Sequence, residues 1–357
     1  MTASNALFGL NGQASHECVH WVADARSGLR AVVAIHSTSL GPAFGGCRMW
    51  HYASDQDALT DALRLSYGMS LKNALADLPF GGGKAVILKP EGDFDRDAIF
   101  GAFGAAVESL GGRYLTAEDV GSTTSDMRVV QRVTSHVSGI PRLGAFGGDP
   151  SPKTAWGVFV SIDEAVRTHL KRNDLKGVRV AVQGLGAVGA SLCSFLHKEG
   201  AKLVVADIQA SRVEEMRHRF GAEAATVDRI FGAAADVFAP CALGAALDSA
   251  TIAELQAPIV AGAANNQLAT PQDGERLQAR GVMYLPDFLV NAGGIISVVR
   301  EYLGTGDEHS VMQEVGRIRT RVAELLRRAE ETGLSPAFVA TEWARSKLEN
   351  ARLPNVM

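Results

Sequence analysis

Cysteine, histidine clusters, basic charge and long apolar runs are all in short supply in this chain. The four cysteines, Cys18, Cys47, Cys193 and Cys241, lie far apart and form no CxxC pair. That spacing suggests neither zinc nor a disulfide framework, and reduced thiols in a cytosol are the simplest reading. The nine histidines are read as surface or core residues, so no metal is expected. A formal net charge of -4 and a pI near 6.2 leave no basic stripe to neutralise a phosphate backbone, so nucleic acid is not an expected partner. No apolar run is long enough to span a bilayer, and residues 1–11 lack the basic-then-apolar pattern of a secretory signal, so no membrane association is expected.

What is present suits a globular protein: 46% hydrophobic and 21% charged residues, with a mean hydropathy of +0.06. At 357 residues the chain exceeds what one hydrophobic core usually serves, so two domains are expected. Cys18 to Val22 and Leu29 to Ile35 read as strands around a turn at Ser27-Gly28, a hairpin. A helix should follow Ser54, whose hydroxyl can cap while Asp57 sits in the first turn; Ala58, Leu59, Ala62, Leu63, Ser66 and Met69 form its face. After the glycine run Gly81 to Gly83 comes a short strand, Ala85 to Leu88, then an amphipathic helix through Ile99, Phe103, Ala106 and Leu110. This is an α+β domain over 1–140.

From 141 to 334 the pattern changes. Short Val-, Ile- and Leu-rich runs alternate with helices, as parallel strands buried on both faces require. Strands are expected at Val178 to Gln183, Leu203 to Ala206, Val237 to Ala239, Ile259 to Ala261 and Met283 to Leu285, with a weaker one near Ala224. The aperiodic stretch Gly139 to Pro152 reads as the boundary and as a hinge for closure. His309 to Thr332 and Ser335 to Asn350 read as charged amphipathic helices, the terminal segment 335–357 packing back on the first domain.

The strand ending at Gln183 runs into Gly184-Leu185-Gly186-Ala187-Val188-Gly189, a GxGxxG between a buried strand and an apolar helix. Gly184 permits the tight turn and Gly186 lets backbone approach a pyrophosphate. Gly189 allows close helix-to-strand packing, and the helix N-terminus at Ala187 and Val188 faces the phosphate charge. Asp207 ends the next strand, where an acid grips the adenosine ribose hydroxyls and repels a 2′-phosphate; an ordinary helix cap is the other reading of that residue. The α/β architecture is thus an N-terminal α+β substrate domain plus a Rossmann-type, doubly wound dinucleotide-binding domain, with NAD as its cofactor.

The reaction has to be argued from the first domain. Lys72 ends the apolar helix in Met69-Ser70-Leu71-Lys72-Asn73-Ala74, and Lys84 closes Pro79-Phe80-Gly81-Gly82-Gly83-Lys84 before an apolar strand. A partly desolvated lysine beside a second cation can supply a neutral amine as general base, while the other can pair with a substrate carboxylate. A lone lysine is otherwise a solvated surface charge. Asp119, in Thr116-Ala117-Glu118-Asp119-Val120-Gly121, is by spacing either an N-cap or a functional acid.

The runs Gly45 to Trp50, Met69 to Ala74, Gly81 to Lys84, Thr116 to Gly121, Ala261 to Asn266 and Pro286 to Gly294 resemble, in order and over nearly the whole chain, the glutamate, leucine, phenylalanine and valine dehydrogenases, leucine dehydrogenases above all. The resemblance implies that Lys84 is the catalytic base, that Lys72 holds the α-carboxylate and that Asp119 relays a proton to and from the amino group. It also implies that Gly45 and Met69 line the substrate site. Thr154, Ala263, Asn265 and Asn291 would contact the nicotinamide and its ribose. A homo-oligomer acting on a small amino acid, its 2-oxo acid and ammonia is expected.

Glutamate-specific relatives carry a lysine where this chain has Phe44 and a serine where it has Val298. Phe44, Ala117, Ile295 and Val298 would instead wall an apolar pocket with no partner for a second carboxylate. The expected reaction is NAD-dependent oxidative deamination of a branched-chain or small aliphatic L-amino acid, and its reverse. The alternatives are an aromatic amino-acid dehydrogenase, phenylalanine foremost, or a catalytically silent NAD-binding scaffold. Cys47, beside the paired glycines, is expected to fill space.

Overall fold

A computed structural model describes residues 16–140, 147–242, 244 and 246–352. The calls on residues 1–11 and on 353–357, and the middle of the expected hinge, lie outside the described residues. Contacts divide the chain into two units: residues 1–148, 298–307 and 344–357 in the first, and 149–297 with 308–343 in the second. The expected division kept 298–307 with the second domain; these residues group with the first.

In the first unit, β1 (Cys18–Asp24) and β2 (Leu29–Ser37) form the hairpin, in antiparallel register from Cys18 opposite Ile35 to Asp24 opposite Leu29. β3 (Ala43–Phe44), β4 (Cys47–Trp50), α1 (Asp55–Leu75), β5 (Gly81–Leu88), α2 (Arg96–Ser109), β6 (Tyr114–Leu115) and α3 (Thr124–Gln131) follow. The sheet runs β1-β2-β5-β3-β6, and β4 also pairs with β5. β5 is therefore flanked by β2 on one edge and by β3 then β4 on the other, with Gly45 and Gly46 bridging the last two.

Alternation along the strands sorts the core into two layers. Val33, Ile35, Cys47, Met49, Ala85 and Ile87 pack with Ile99, Phe100, Phe103 and Val107 of α2. Val32, Ala34 and Val86 pack with Ala58, Leu59, Ala62 and Leu63 of α1. Each fully buried aliphatic side chain of these layers contributes about 1.5–3 kcal/mol. α1 starts where expected: the Ser54 hydroxyl accepts from the Asp57 amide at 3.2 Å.

β5 begins at Gly81, not Ala85: the glycines expected to form a turn belong to the strand. A Cβ on Gly82 would collide with the Ser70 backbone of α1, and one on Gly83 would lie 2.7 Å from the Tyr114 ring. Bare backbone is what lets helix and neighbouring strand close on β5 here. Asn73 locks the contact, its Nδ2 donating to Gly81 O at 2.5 Å.

The second unit opens with α4 (Ser151–His169), then β7 (Arg179–Gln183), α5 (Ala187–Lys198), β8 (Lys202–Ala206), α6 (Ala210–Phe220), β9 (Glu223–Ala224) and β10 (Val237–Pro240). α7 (Ser249–Glu254), β11 (Ile259–Val260), α8 (Gln272–Ala279), β12 (Met283–Tyr284), α9 (Asp287–Val290) and α10 (Gly293–Leu303), whose residues from Val298 on belong to the first unit, come next. α11 (Glu308–Gly316), α12 (Ile318–Thr332) and α13 (Pro336–Arg352) end the chain. All strand pairs are parallel in the order β12-β11-β10-β7-β8-β9. In chain order this is 6-5-4-1-2-3, the doubly wound Rossmann arrangement. The helix expected from His309 to Thr332 is two, interrupted at Gly316-Arg317, where glycine faces the Trp156 indole of α4. The part of α13 within the first unit sits on α1: Lys347 Nζ donates to Ala74 O at 3.2 Å, and Arg345 Nε to the Tyr67 hydroxyl at 3.2 Å.

Gly82→Ala should lower the stability of the first unit by about 1–3 kcal/mol, the usual cost of forcing atoms into a packed contact. Denaturant titration checks this; an unchanged midpoint would mean that α1 is not seated on β5 as described.

Candidate active site

Lys84 is the fourth residue of β5 and shares the α1-facing side with Gly82 and Val86. It is only 5% exposed. Its ammonium meets Asp119 Oδ2 at 3.1 Å, and Arg48 Nε of β4 reaches the same oxygen at 3.0 Å. Asp119 stands in the loop between β6 and α3. Its amide donates to the Ser122 hydroxyl at 2.9 Å, and Ser122 in turn donates to Cys47 O at 2.7 Å, tying the loop to β4. Gly46 makes room for this approach, since a Cβ there would lie 2.9 Å from that of Asp119.

The cap reading of Asp119 does not hold: Thr123 caps α3, in a reciprocal box with Asp126. Asp119 is spare for other work. Burial pushes its carboxyl up, but Lys84 and Arg48 outweigh that and hold it below the ordinary carboxylate value.

Lys72 and Met69 occupy the C-terminal part of α1 and are half-buried. Asn73 anchors this turn to the glycines of β5 and, at 3.4 Å, to Phe44 O. Gly45 admits no side chain, because a Cβ would collide with Gly83 O. Ala117 is buried, its carbonyl accepting from the Cys47 amide at 2.8 Å. Phe44 is fully buried and meets Phe80 and Tyr302 edge-on, with ring centroids 5.2 and 5.9 Å away. Val298 lies one helical turn before Tyr302, and its carbonyl accepts from the Ser138 hydroxyl at 3.1 Å. A cavity of about 220 Å³ adjoins, lined by Tyr302, Ser138, Glu301 and Val137 among others. Ile295, half-buried in α10, falls in the second unit.

Sequence reasoning missed Arg48, Phe80 and Tyr302 as site residues. The i, i+4 spacing of Val298 and Tyr302 was the available signal for the last; Arg48 has no local signal, its partners lying elsewhere in the chain. Cys47 is buried and its thiol is pushed well up by burial, so it is no nucleophile.

In the second unit the glycines divide their labour. Gly184 has φ +91° and a Cβ there would lie 2.6 Å from Ala242 N; a Cβ on Gly189 would collide with Gly184 O. Gly186, at the N-cap of α5, faces open space, and Ala187 and Val188 begin the helix. Asp207 Oδ2 accepts from the Leu185 amide at 2.6 Å and Oδ1 from the Gln209 amide at 2.8 Å, so it braces the glycine turn against β8. Asn291 Nδ2 donates to Ala263 O at 3.0 Å and to Asn265 Oδ1 at 2.9 Å, which brings these three together. Its own Oδ1 is buried with no hydrogen-bond partner. Thr154 Oγ1 donates to Pro150 O at 3.2 Å. The open approach at Gly186 and the orphaned amide oxygen of Asn291 both fit a dinucleotide carrying a carboxamide.

His16-Glu17-Cys18-Val19-His20 has the HExxH spacing that serves zinc when it lies on a helix. Here it runs into β1; His16 Nε2 bonds Leu63 O and Ser66, and His20 Nε2 meets Cys18 Sγ. Among the described residues no group of three or more His, Cys, Asp or Glu is placed to hold a metal ion. No described helix is long and apolar enough to cross a membrane.

A glycine-turn Rossmann sheet with a buried lysine–aspartate pair on a separate unit marks an NAD(P)-dependent amino-acid dehydrogenase. The chain belongs to the Glu/Leu/Phe/Val dehydrogenase family: residues 16–136 match its dimerisation domain, and residues 149–211 and 205–351 its Glutamate/Leucine/Phenylalanine/Valine dehydrogenase domain. It is 43% identical to a leucine dehydrogenase of Thermoactinomyces intermedius, over 92% of this chain and 90% of that one. It is 40% identical to an L-tryptophan dehydrogenase of Nostoc punctiforme, over 97% of each. The crystal structure of the Nostoc punctiforme L-tryptophan dehydrogenase superposes with a TM-score of 0.80 at 39% identity, covering 94% of this chain and 97% of that one. A hetero-hexameric glutamate dehydrogenase of Thermus thermophilus gives 0.77 at 25% identity, covering 96% and 91%.

Because the folded Asp119 carboxyl sits below its unfolded value, it stabilises the protein above the unfolded value, near pH ~4, and that contribution is lost as pH falls through the folded one. Asp119→Asn, which leaves the buried Lys84 ammonium without its carboxylate partner while Arg48 keeps Asp61, should cost about 3 kcal/mol at neutral pH and lessen the loss of stability on acidification. Denaturant midpoints measured from neutral to acid pH check this; parallel curves for variant and wild type would contradict it.

Proposed function

We propose that the chain catalyses NAD-dependent oxidative deamination of a branched-chain or small aliphatic L-amino acid, and the reverse reductive amination. The observation that carries this reading is the buried contact of Lys84 with Asp119, at 3.1 Å, beside bare glycine backbone. Lys72 holds the α-carboxylate from the end of α1. Bound at the glycine turn, the dinucleotide supplies the hydride acceptor. Gly184, Gly186, Ala187, Val188 and Gly189 receive its pyrophosphate on the α5 N-terminus, and Thr154, Ala263, Asn265 and Asn291 its nicotinamide end. Asp207 takes the ribose hydroxyls, and its negative charge favours NAD over NADP.

Once the α-carbon has lost its hydride, Lys84 as a free amine takes a proton from the water that attacks the imine carbon. Asp119, having taken a proton from the substrate ammonium before hydride loss, returns it to the departing nitrogen; as the C–N bond breaks the new hydroxyl gives up its proton, so ammonia leaves and the 2-oxo acid follows. The catalytically silent alternative is set aside by the family assignment and by the retention of Lys72, Lys84 and Asp119 together.

Gly45, Met69, Phe44, Ala117, Ile295 and Val298 are proposed to receive the substrate. Phe44, Phe80 and Tyr302 form an aromatic cluster with one neutral hydroxyl and no cation, which fits an apolar substrate and leaves a second carboxylate without a counter-charge. An aromatic substrate is the second reading, favoured by the 40% identity to an L-tryptophan dehydrogenase. A homo-oligomer is proposed from the match of residues 16–136 to a dimerisation domain, and a cytoplasmic location from four free cysteines.

Initial rates of NADH or NADPH formation across aliphatic, aromatic and acidic amino acids test the reading. NAD with a branched or short aliphatic substrate should give the highest kcat/KM, and Lys84→Ala should lower kcat by about 10²-fold or more. A preference for phenylalanine or tryptophan would favour the second reading, and one for glutamate would defeat both.

A further inference from the structure

Lys84 and Arg48 both engage the same carboxylate oxygen, Oδ2 of Asp119, at 3.1 and 3.0 Å. Among the described residues no hydrogen bond falls on Oδ1. The far end of the Arg48 guanidinium is held as firmly: Nη1 donates to Asp61 Oδ2 of α1 at 2.9 Å, and the Tyr52 hydroxyl donates to that same Asp61 oxygen at 2.6 Å. The side chain of Arg48 is only 16% exposed, and those of Asp61 and Asp119 are 23% and 17% exposed.

We propose that Arg48 is a positioning residue for the deamination chemistry: it is the permanent counter-ion of Asp119, fixing Oδ2 so that Lys84 can release and regain a proton while Oδ1 stays open to the substrate nitrogen. This rests on the roles proposed above for Lys84 and Asp119.

The charge balance explains why a second cation is needed. A general base must lose its proton before it can take one from water, and at that moment a carboxylate paired with lysine alone would be buried without a counter-charge. Arginine cannot be deprotonated in a protein, so Arg48 keeps its charge through the cycle. With Lys84 as the amine, Asp119, Arg48 and Asp61 together carry one net negative charge, which the ammonium of an incoming amino acid neutralises.

The groups facing Asp119 are Lys84 from β5, Arg48 and the Cys47 thiol from β4, the Tyr114 hydroxyl from β6 and, through Arg48, Asp61 of α1 and Tyr52. Tyr52 keeps its proton, since burial and the neighbouring Asp61 raise its hydroxyl far above the ordinary value. Glu118 is engaged by the Thr124 hydroxyl at 2.8 Å.

The test is the pH profile of kcat/KM, with the amino acid that the wild type oxidises best, for wild type, Arg48→Gln, Arg48→Lys and Asp61→Asn. Removing the positive charge in Arg48→Gln should move the acidic limb to higher pH by about one unit, because Lys84 loses a neighbouring like charge and Asp119 an opposite one. kcat should fall by about 10- to 100-fold with KM changed much less, a part of what general acid–base catalysis contributes. Arg48→Lys should leave the limb close to its wild-type position. Asp61→Asn, which removes a negative charge, should move the limb the opposite way, to lower pH.

Limbs that shift in the same direction in Arg48→Gln and Asp61→Asn would overturn the proposal, as would limbs within about 0.2 units of wild type in both. Should Arg48→Gln fail to fold, the sign of the Asp61→Asn shift decides. A wild type that oxidises no amino acid would instead defeat the functional reading, before any variant is compared.

Discussion

Everything in the first unit converges on one contact, a buried ammonium against a buried carboxylate. Taking both charges out of water is costly, and their attraction repays it only where geometry is tight and every remaining polar atom finds a partner. The fold supplies the tight geometry by deleting side chains, while Asp119 Oδ1 takes no hydrogen bond among the described residues. Gly46 admits the approach of Asp119, Gly82 and Gly83 let α1 and Tyr114 close on β5, and Ser122 pins the Asp119 loop to β4. A buried pair is weak evidence for stability in itself. Its maintenance at the cost of four consecutive backbone-only or charged positions on β5, in the core of a sheet, is stronger evidence for chemistry.

The second unit solves a different problem with the same residue. Its glycines at 184, 186 and 189 are respectively a positive-φ turn, an open approach and a close helix-to-strand packing point. Asp207 spends both carboxylate oxygens on backbone amides of Leu185 and Gln209, yet each oxygen has a second lone pair. An acid that sets the shape of the turn and also meets a ribose is therefore consistent. Backbone amides fix the acid of the second unit, whereas Asp119 in the first is held by the side chains of Lys84 and Arg48.

Much of this was legible before any coordinates, for identifiable reasons. α1 and β2 are long and strongly patterned, and the parallel strands carry the double-sided apolar signal of a covered sheet. Strands of two residues, such as β3 and β6, have no period to detect and form because β5 offers them an edge. The glycine run was expected to turn because glycine weakens strands. It stays extended because Ser70 and Tyr114 occupy the space its side chains would need. Lys84 and Asp119 were recognised by resemblance, and spacing alone left Asp119 between cap and acid. The capping box of Thr123 with Asp126 is the tertiary fact that frees it. Arg48 stood in a recognised run without a role because its meaning depends on Asp61 and Asp119, which only the folded sheet and α1 bring to it.

Substrate choice is where family membership says least, and the physics gives the reason. On the proposed reading, glutamate is easily rejected by a pocket without a cation for its side chain, since a stranded carboxylate costs several kcal/mol. Separating leucine from valine, or either from phenylalanine, rests on methylenes worth about 1–3 kcal/mol each in an apolar pocket. On the proposed reading, differences of that size would follow from the packing of Phe44 against Phe80 and Tyr302. Relatives near 40% identity accordingly include enzymes named for leucine, tryptophan and phenylalanine. These names share one reaction class, which on the proposed reading depends on charges that tolerate little misplacement. The specificity diverges because it depends on dispersion contacts that tolerate a good deal.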